Sequence, residues 1–223
     1  MKQAPSPNWD ARPAGAAIDI LVLHYTGMQS AAAAIERLRD AAAKVSSHYV
    51  VEEDGTVWQL VEEGRRAFHA GISHWRGHET LNGRSIGIEI VNPGHEWGYR
   101  AFPAAQMAAV AQLCRGILSR HPIPARNVVG HSDVAPDRKQ DPGELFDWAG
   151  LAAQGIGLWP GRGEASVEDV PAALRQIGYP IPELATTVAA FQRHWRPELV
   201  DGASDLGTRR RVADVLGALD PSG

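Results

Sequence analysis

The sequence holds a single cysteine, Cys114, so no intrachain disulfide can form. Its surroundings, "PAAQMAAVAQLCRGILSR", put Met107, Val110, Cys114 and Ile117 at helical spacing. That pattern predicts a core thiol and speaks against a cysteine nucleophile. Excess basic charge is also missing. Lys and Arg number 22 against 26 Asp and Glu, a net charge of −4, without the basic footprint that nucleic-acid binding needs. No apolar run reaches the ~20 residues of a membrane span. The N-terminus, "MKQAPSPNWDARPAGAAIDI", carries no apolar stretch of signal-peptide length. As written, the chain is expected in the cytoplasm, with the periplasm as the alternative if a leader has been removed. There is no internal repeat and no low-complexity tract beyond richness in alanine.

What is present is apolar material, 44% of 223 residues, enough for a sizeable core. Residues 1–16 are rich in Pro and Ala and read as an extended arm. "AIDILVLHYT" is an apolar, β-branched run, a buried strand ending near Tyr25. "SAAAAIERLRDAAAK" is helical, with Ser30 as its cap. "SSHYVVEEDGTVWQLV" predicts two short strands around Asp54-Gly55 and so at least one antiparallel pair. "SIGIEIV" alternates as a strand, Pro103 to Arg120 is an amphipathic helix begun by proline, and "ARNVVGH" is a short strand. This alternation predicts an α/β fold with a central mixed β-sheet flanked by helices over residues 17–154. "GIGLWPGRGEAS" then changes texture, and residues 155–165 read as a linker. Residues 166–223 predict a small three-helix C-terminal domain, with helices at about Val167–Ile177, Leu184–Trp195 and Thr208–Leu219. Ser166 and Asp169 resemble a capping box at its start.

Chemistry-bearing residues sort by position. Of nine histidines, His24 ends the first strand of the α/β region and His131 the last, where functional groups collect in such folds. Downstream of His131 the segment "GHSDVAPDRKQDPGELF" is too rich in Pro and Asp for regular structure. Catalytic zinc takes His nitrogen and Asp oxygen through three protein ligands and keeps one open position. Asp141 is the preferred third ligand, with Asp133 and Asp137 as competitors that spacing does not exclude. Lys139 shares a face with Asp141 on an extended backbone. A cation there is poor for binding a metal and useful for holding an oxyanion. Glu89 interrupts the aliphatics of "SIGIEIV". It is either a solvent-facing carboxylate or a general base lining a cleft. His74 and His78 are four apart, as in helical zinc peptidases, but no Glu follows His74 and Gly77 interrupts. His69, beside Phe68, is a candidate for substrate contact or for a structural hydrogen bond.

Five stretches, "LVLHYT", "VSSHYVVEEDGTVWQLV", "RAFHAG", "SIGIEIVNPG" and "GHSDVAPDRKQDPGELF", occur in order between Ile18 and Trp148. They resemble the zinc-dependent N-acetylmuramoyl-L-alanine amidases, the family shared with peptidoglycan recognition proteins and phage amidases. The resemblance implies Zn2+ on His24, His131 and Asp141, Glu89 activating water, and Lys139 stabilising the oxyanion. It also suggests Lys44 as a basic contact to a stem-peptide carboxylate and His69 beside the cleft. The implied partner is peptidoglycan or a muropeptide, its 1,6-anhydro form included. The alternative is a non-catalytic peptidoglycan sensor of the same fold. "LRQIGYP", "TVAAFQRHWRP" and "VDGASDLGTRRRVADVL" resemble a three-helix peptidoglycan-binding domain, with an altered loop at "DGASDLGTRR".

Overall fold

In the computed structural model, which describes residues 1–219, strand-like and helix-like segments alternate around one mixed sheet. The strands are β1 (Lys2–Gln3), β2 (Trp9–Ala11), β3 (Ile20–Tyr25), β4 (Tyr49–Val51), β5 (Val57–Gln59), β6 (Arg65–Ala67), β7 (His74–Trp75), β8 (His78–Glu79), β9 (Ser85–Ile90) and β10 (Val128–Gly130). The helices are α1 (Ala31–Arg39), α2 (Gly94–Trp97), α3 (Ala104–Arg120), α4 (His131–Val134), α5 (Trp148–Ala152), α6 (Val170–Ile177), α7 (Leu184–Trp195) and α8 (Leu206–Leu219). The main sheet runs β1-β5-β4-β9-β3-β10. Only β4 and β5 pair antiparallel within it, through the turn at Asp54-Gly55 that the sequence predicted. The N-terminal arm is stitched on: β1 extends the sheet beside β5, and β2 pairs with β6.

Alternation in the central strands sends apolar side chains to both faces of the sheet. Leu21, Leu23, Ile86, Ile88 and Ile90 face α3, where Val110, Cys114 and Ile117 are buried against them. The thiol is a core group, and burial pushes its pKa up to about 12. On the other face, Ile20, Val22 and Val129 share a cluster with Leu174 and Ile177 of α6, Val188 and Phe191 of α7, and Val212 of α8. The C-terminal helices therefore cover one side of the sheet. The first half of the intervening segment is packed too: Ile156 is buried and Trp159 lies against both clusters, whereas residues 161–165 are exposed.

Three local expectations are corrected. Helix α1 stops at Arg39, because the Asp40 side chain accepts the Ala42 N–H at 2.9 Å and turns the chain. Ser166 does not cap α6. Pro171 lacks an N–H and occupies the first turn, so the cap falls to Asp169, whose carboxylate accepts the Ala172 N–H at 2.9 Å. His131 is not the last residue of a strand but the first of the one-turn helix α4.

Candidate active site

Register builds the centre. In the parallel pair β3 and β9, His24 stands directly opposite Glu89. In the pair β3 and β10, Gly130 stands opposite Leu23, so His131 emerges beside His24. Neighbouring strands lie about 4.8 Å apart, which sets the three side chains side by side on the face away from α3. Asp141 arrives from the loop after α4, whose backbone is tied back by the Ser132 N–H donating to Asp141 O at 2.9 Å.

His24 Nδ1, His131 Nδ1 and Asp141 Oδ2 form a triangle with sides of 2.9, 3.0 and 3.1 Å. All three residues are buried. The hydrogen-bond network assigns the tautomers. His131 Nε2–H donates to Ala70 O at 3.2 Å, so a neutral ring keeps its lone pair on Nδ1. Ser85 spends its hydroxyl proton on Leu81 O at 2.8 Å and accepts from His69 Nε2–H at 3.2 Å. His69 Nδ1 then accepts from His24 Nε2–H at 3.1 Å, which leaves the His24 Nδ1 lone pair facing inward. Burial, then the neighbouring His131, lowers the His24 pKa to about 4. Burial, then His24, holds His69 well below the usual range. Burial would raise the Asp141 carboxyl, but the two imidazoles facing it outweigh that and hold it low. Three buried acceptors converge on one point with no proton assigned between them. That donor set fits a divalent cation, and among the described residues these three are the group able to hold one.

The triangle opens into a cleft of about 540 Å³ lined by Glu89, His69, Lys139, Tyr25, Arg37 and Arg138, among others. Glu89 Oε2 is buried without a hydrogen-bond partner. Burial first, and then the charge of Asp141, pushes its carboxyl well above the usual range, with Lys139 opposing. Glu89 is thus no edge carboxylate: β9 is central, between β4 and β3.

The other candidates fall elsewhere. Asp133 is buried but turned away, its Oδ2 accepting the Gly130 N–H at 2.7 Å. Asp137 is exposed. His74 and His78 sit on the β7–β8 hairpin, outside the triangle. Lys44 is exposed with φ 52°, next to Val45 and Ser46, which line the cleft. Sequence reasoning missed Arg37 and Arg138, since no spacing marks a rim cation. It also missed Ser85, whose only signal was its place on the same face of β9 as Glu89.

The chain matches the family described as N-acetylmuramoyl-L-alanine amidase over residues 14–144. It is similar to the N-acetylmuramoyl-L-alanine amidase AmiD of Escherichia coli (strain K12), 38% identical over 89% of this chain and 82% of that protein. It is also similar to the 1,6-anhydro-N-acetylmuramyl-L-alanine amidase AmpD of the same organism, 34% identical over 66% of this chain and 88% of that one. Among solved structures, the E. coli AmiD complex with anhydro-N-acetylmuramic acid-L-Ala-D-gamma-Glu-L-Lys superposes with a TM-score of 0.81 at 36% identity, covering 93% of this chain and 92% of that one. AMPDH3 from Pseudomonas aeruginosa gives 0.84 at 34% identity over 92% and 94%.

Proposed function

The chain belongs to the N-acetylmuramoyl-L-alanine amidase family, and from that premise we propose that its cleft hydrolyses the amide bond between the lactyl group of N-acetylmuramic acid, including its 1,6-anhydro form, and L-alanine of the stem peptide. One observation carries the reading: three converging acceptors, His24, His131 and Asp141, lie in the same cleft as an unpartnered buried oxygen of Glu89. We take residues 17–154 as the catalytic unit and 166–223, of which 220–223 lie outside the described residues, as a helical module attached to it.

The ion is read as Zn2+, which two imidazole nitrogens and one carboxylate oxygen, from His24, His131 and Asp141, would hold. When bound, it supplies Lewis-acid polarisation of the scissile carbonyl and a lowered pKa for the attacking water. The protein's own groups do the rest. Glu89, through Oε2, accepts a proton from that water and delivers it to the leaving alanine nitrogen. Lys139 Nζ holds the carbonyl oxygen as it gains charge. His69 and Ser85 keep His24 in the tautomer that points its lone pair inward, and Ala70 O does the same for His131. With both its ring nitrogens engaged, His69 is read as a support for His24 more than a substrate ligand. Arg37 and Arg138 on the cleft wall, and Lys44 beside it, are cations placed to receive stem-peptide carboxylates.

Mass spectrometry of products from soluble 1,6-anhydro-muropeptide and from intact sacculi tests this. Free stem peptide is expected, lost on chelation and restored by added Zn2+. Preference for the soluble substrate would fit a cytoplasmic recycling role, and preference for sacculi a periplasmic one. No peptide from either substrate, with zinc bound, would make the protein a peptidoglycan binder instead.

A further inference from the structure

Asp133 is fully buried, and its carboxylate is satisfied from two directions. Oδ2 accepts the Gly130 N–H at 2.7 Å from within its own turn. The other donors come from far along the chain. Tyr179 O–H donates to Oδ1 at 2.6 Å, and His194 Nδ1–H donates to Oδ2 at 2.7 Å. Both belong to the C-terminal module: Tyr179 follows α6, and His194 lies in α7. Each of these donors is itself held. Trp195 Nε1–H donates to the Tyr179 oxygen at 3.1 Å. The His194 ring stacks on Trp148 at 3.8 Å and on Trp195 at 4.0 Å.

Asp133 sits in the same helical turn as His131, two residues on. That turn is four residues long and has little rigidity of its own. Its start is pressed against the loop that carries Asp141, since a Cβ on Gly130 would lie 2.8 Å from Pro142 Cδ. The Ser132 N–H reaches Asp141 O. Whatever sets the orientation of this turn therefore sets the approach of two of the three converging acceptors. Apolar packing alone is non-directional, whereas a buried carboxylate held by three short donors fixes both position and rotation.

We propose that the C-terminal module is a positioning element of the metal centre: His194 and Tyr179, through Asp133, hold the α4 turn in the orientation that presents His131. This rests on the reading of His131 as a metal ligand. The module then does more than cover the sheet. His194 and Tyr179 are positioning residues, since neither lines the cleft.

The test uses the full chain, with zinc affinity measured by competition against a chromogenic chelator, kcat and KM measured on soluble muropeptide, and Tm recorded in parallel. His194→Leu and Tyr179→Phe are expected to weaken zinc binding by about 10- to 100-fold, the usual effect of losing an outer partner of a metal ligand. With zinc saturating, kcat falls while KM stays close to that of the unmodified chain. His194→Asn, whose amide N–H can replace Nδ1–H, is expected to recover most of the affinity. Val212→Ala thins the module's core without removing a donor to Asp133, and is expected to lower Tm and leave zinc affinity unchanged. Tyr179→Phe removes one oxygen only, so the test stands even if His194→Leu fails to fold. Wild-type zinc affinity in both donor variants, or equal weakening by Val212→Ala, would reduce the contact to packing and overturn the proposal. If the unmodified chain takes up no zinc, the metal-site reading fails and this inference with it.

Discussion

Glu89 and Lys139 meet the same cleft from different sources, one from a central strand and one from an irregular loop. The strand face of Glu89 was legible, because alternation in "SIGIEIV" separates it from three isoleucines. Its burial was not, because a single strand does not reveal its neighbours. The Asp141 assignment shows the same limit. Asp133, Asp137 and Asp141 lie within ten residues after His131, and spacing does not separate them. Folding turns Asp133 toward α7, leaves Asp137 in solvent and brings Asp141 to the two imidazoles. Two substitutions test the roles. Glu89→Gln keeps the shape but cannot take the proton, so zinc content should be unchanged while kcat collapses. Near-full turnover would remove Glu89 as the base. Lys139→Ala should bind zinc and lose about 10²–10³ in kcat, as for a single oxyanion donor. Steady-state kinetics beside metal analysis reads both.

Strand β9 shows how an element serves the site. Its Gly87 lies on the Glu89 face, and an added Cβ there would come within 2.4 Å of the His69 ring. Gly87→Ala must therefore displace His69 from His24. We expect a folded protein with zinc binding weakened about 10- to 100-fold, read by chelator competition. The C-terminus of α3 is joined to the sheet by another device. Glu63, in the turn before β6, accepts from Tyr49 at 2.7 Å, from Arg120 at 2.7 Å and from His121 at 2.7 Å. Burial works against its ionised form, but these hydrogen bonds prevail and lower its pKa from 4.5 to about 2. A depressed carboxyl stabilises the fold above its unfolded pKa and stops doing so as pH falls through the folded one. Glu63→Gln should then cost about 1–2 kcal/mol at pH 7, less than the full shift implies because the group is partly exposed. That difference should fade between pH 4.5 and 2. Urea titrations of both proteins across that range would show it, and a pH-independent difference would refute the linkage.

At the scale of the molecule, the two predicted domains share a core. Ile20, Val22 and Val129 of the sheet are buried with Leu174, Val188, Phe191 and Val212 of the helices. Exposing each such side chain costs about 1.5–3 kcal/mol, so separating the module is a large penalty against a typical net stability of about 5–15 kcal/mol. Calorimetry of the metal-free chain should accordingly give one unfolding transition. Two resolved transitions would mean that the helical module folds by itself. Among the described residues no helix is long and apolar enough to cross a membrane.

Local periodicity is a property of the chain itself. The strand at Ile20–Tyr25, the hairpin at Asp54-Gly55, the helix from Ala104 and helix α7 from Leu184 to Trp195 were readable because neighbouring residues determine them. Motif order carried the family resemblance for the same reason. Long-range pairing decided the remainder. The position of β3 between β9 and β10 placed His24 between Glu89 and His131. Contacts spanning 46 and 61 residues joined Tyr179 and His194 to Asp133. Such contacts leave no periodic trace in sequence, because they depend on which faces meet once the core has formed, not on the spacing of residues along the chain.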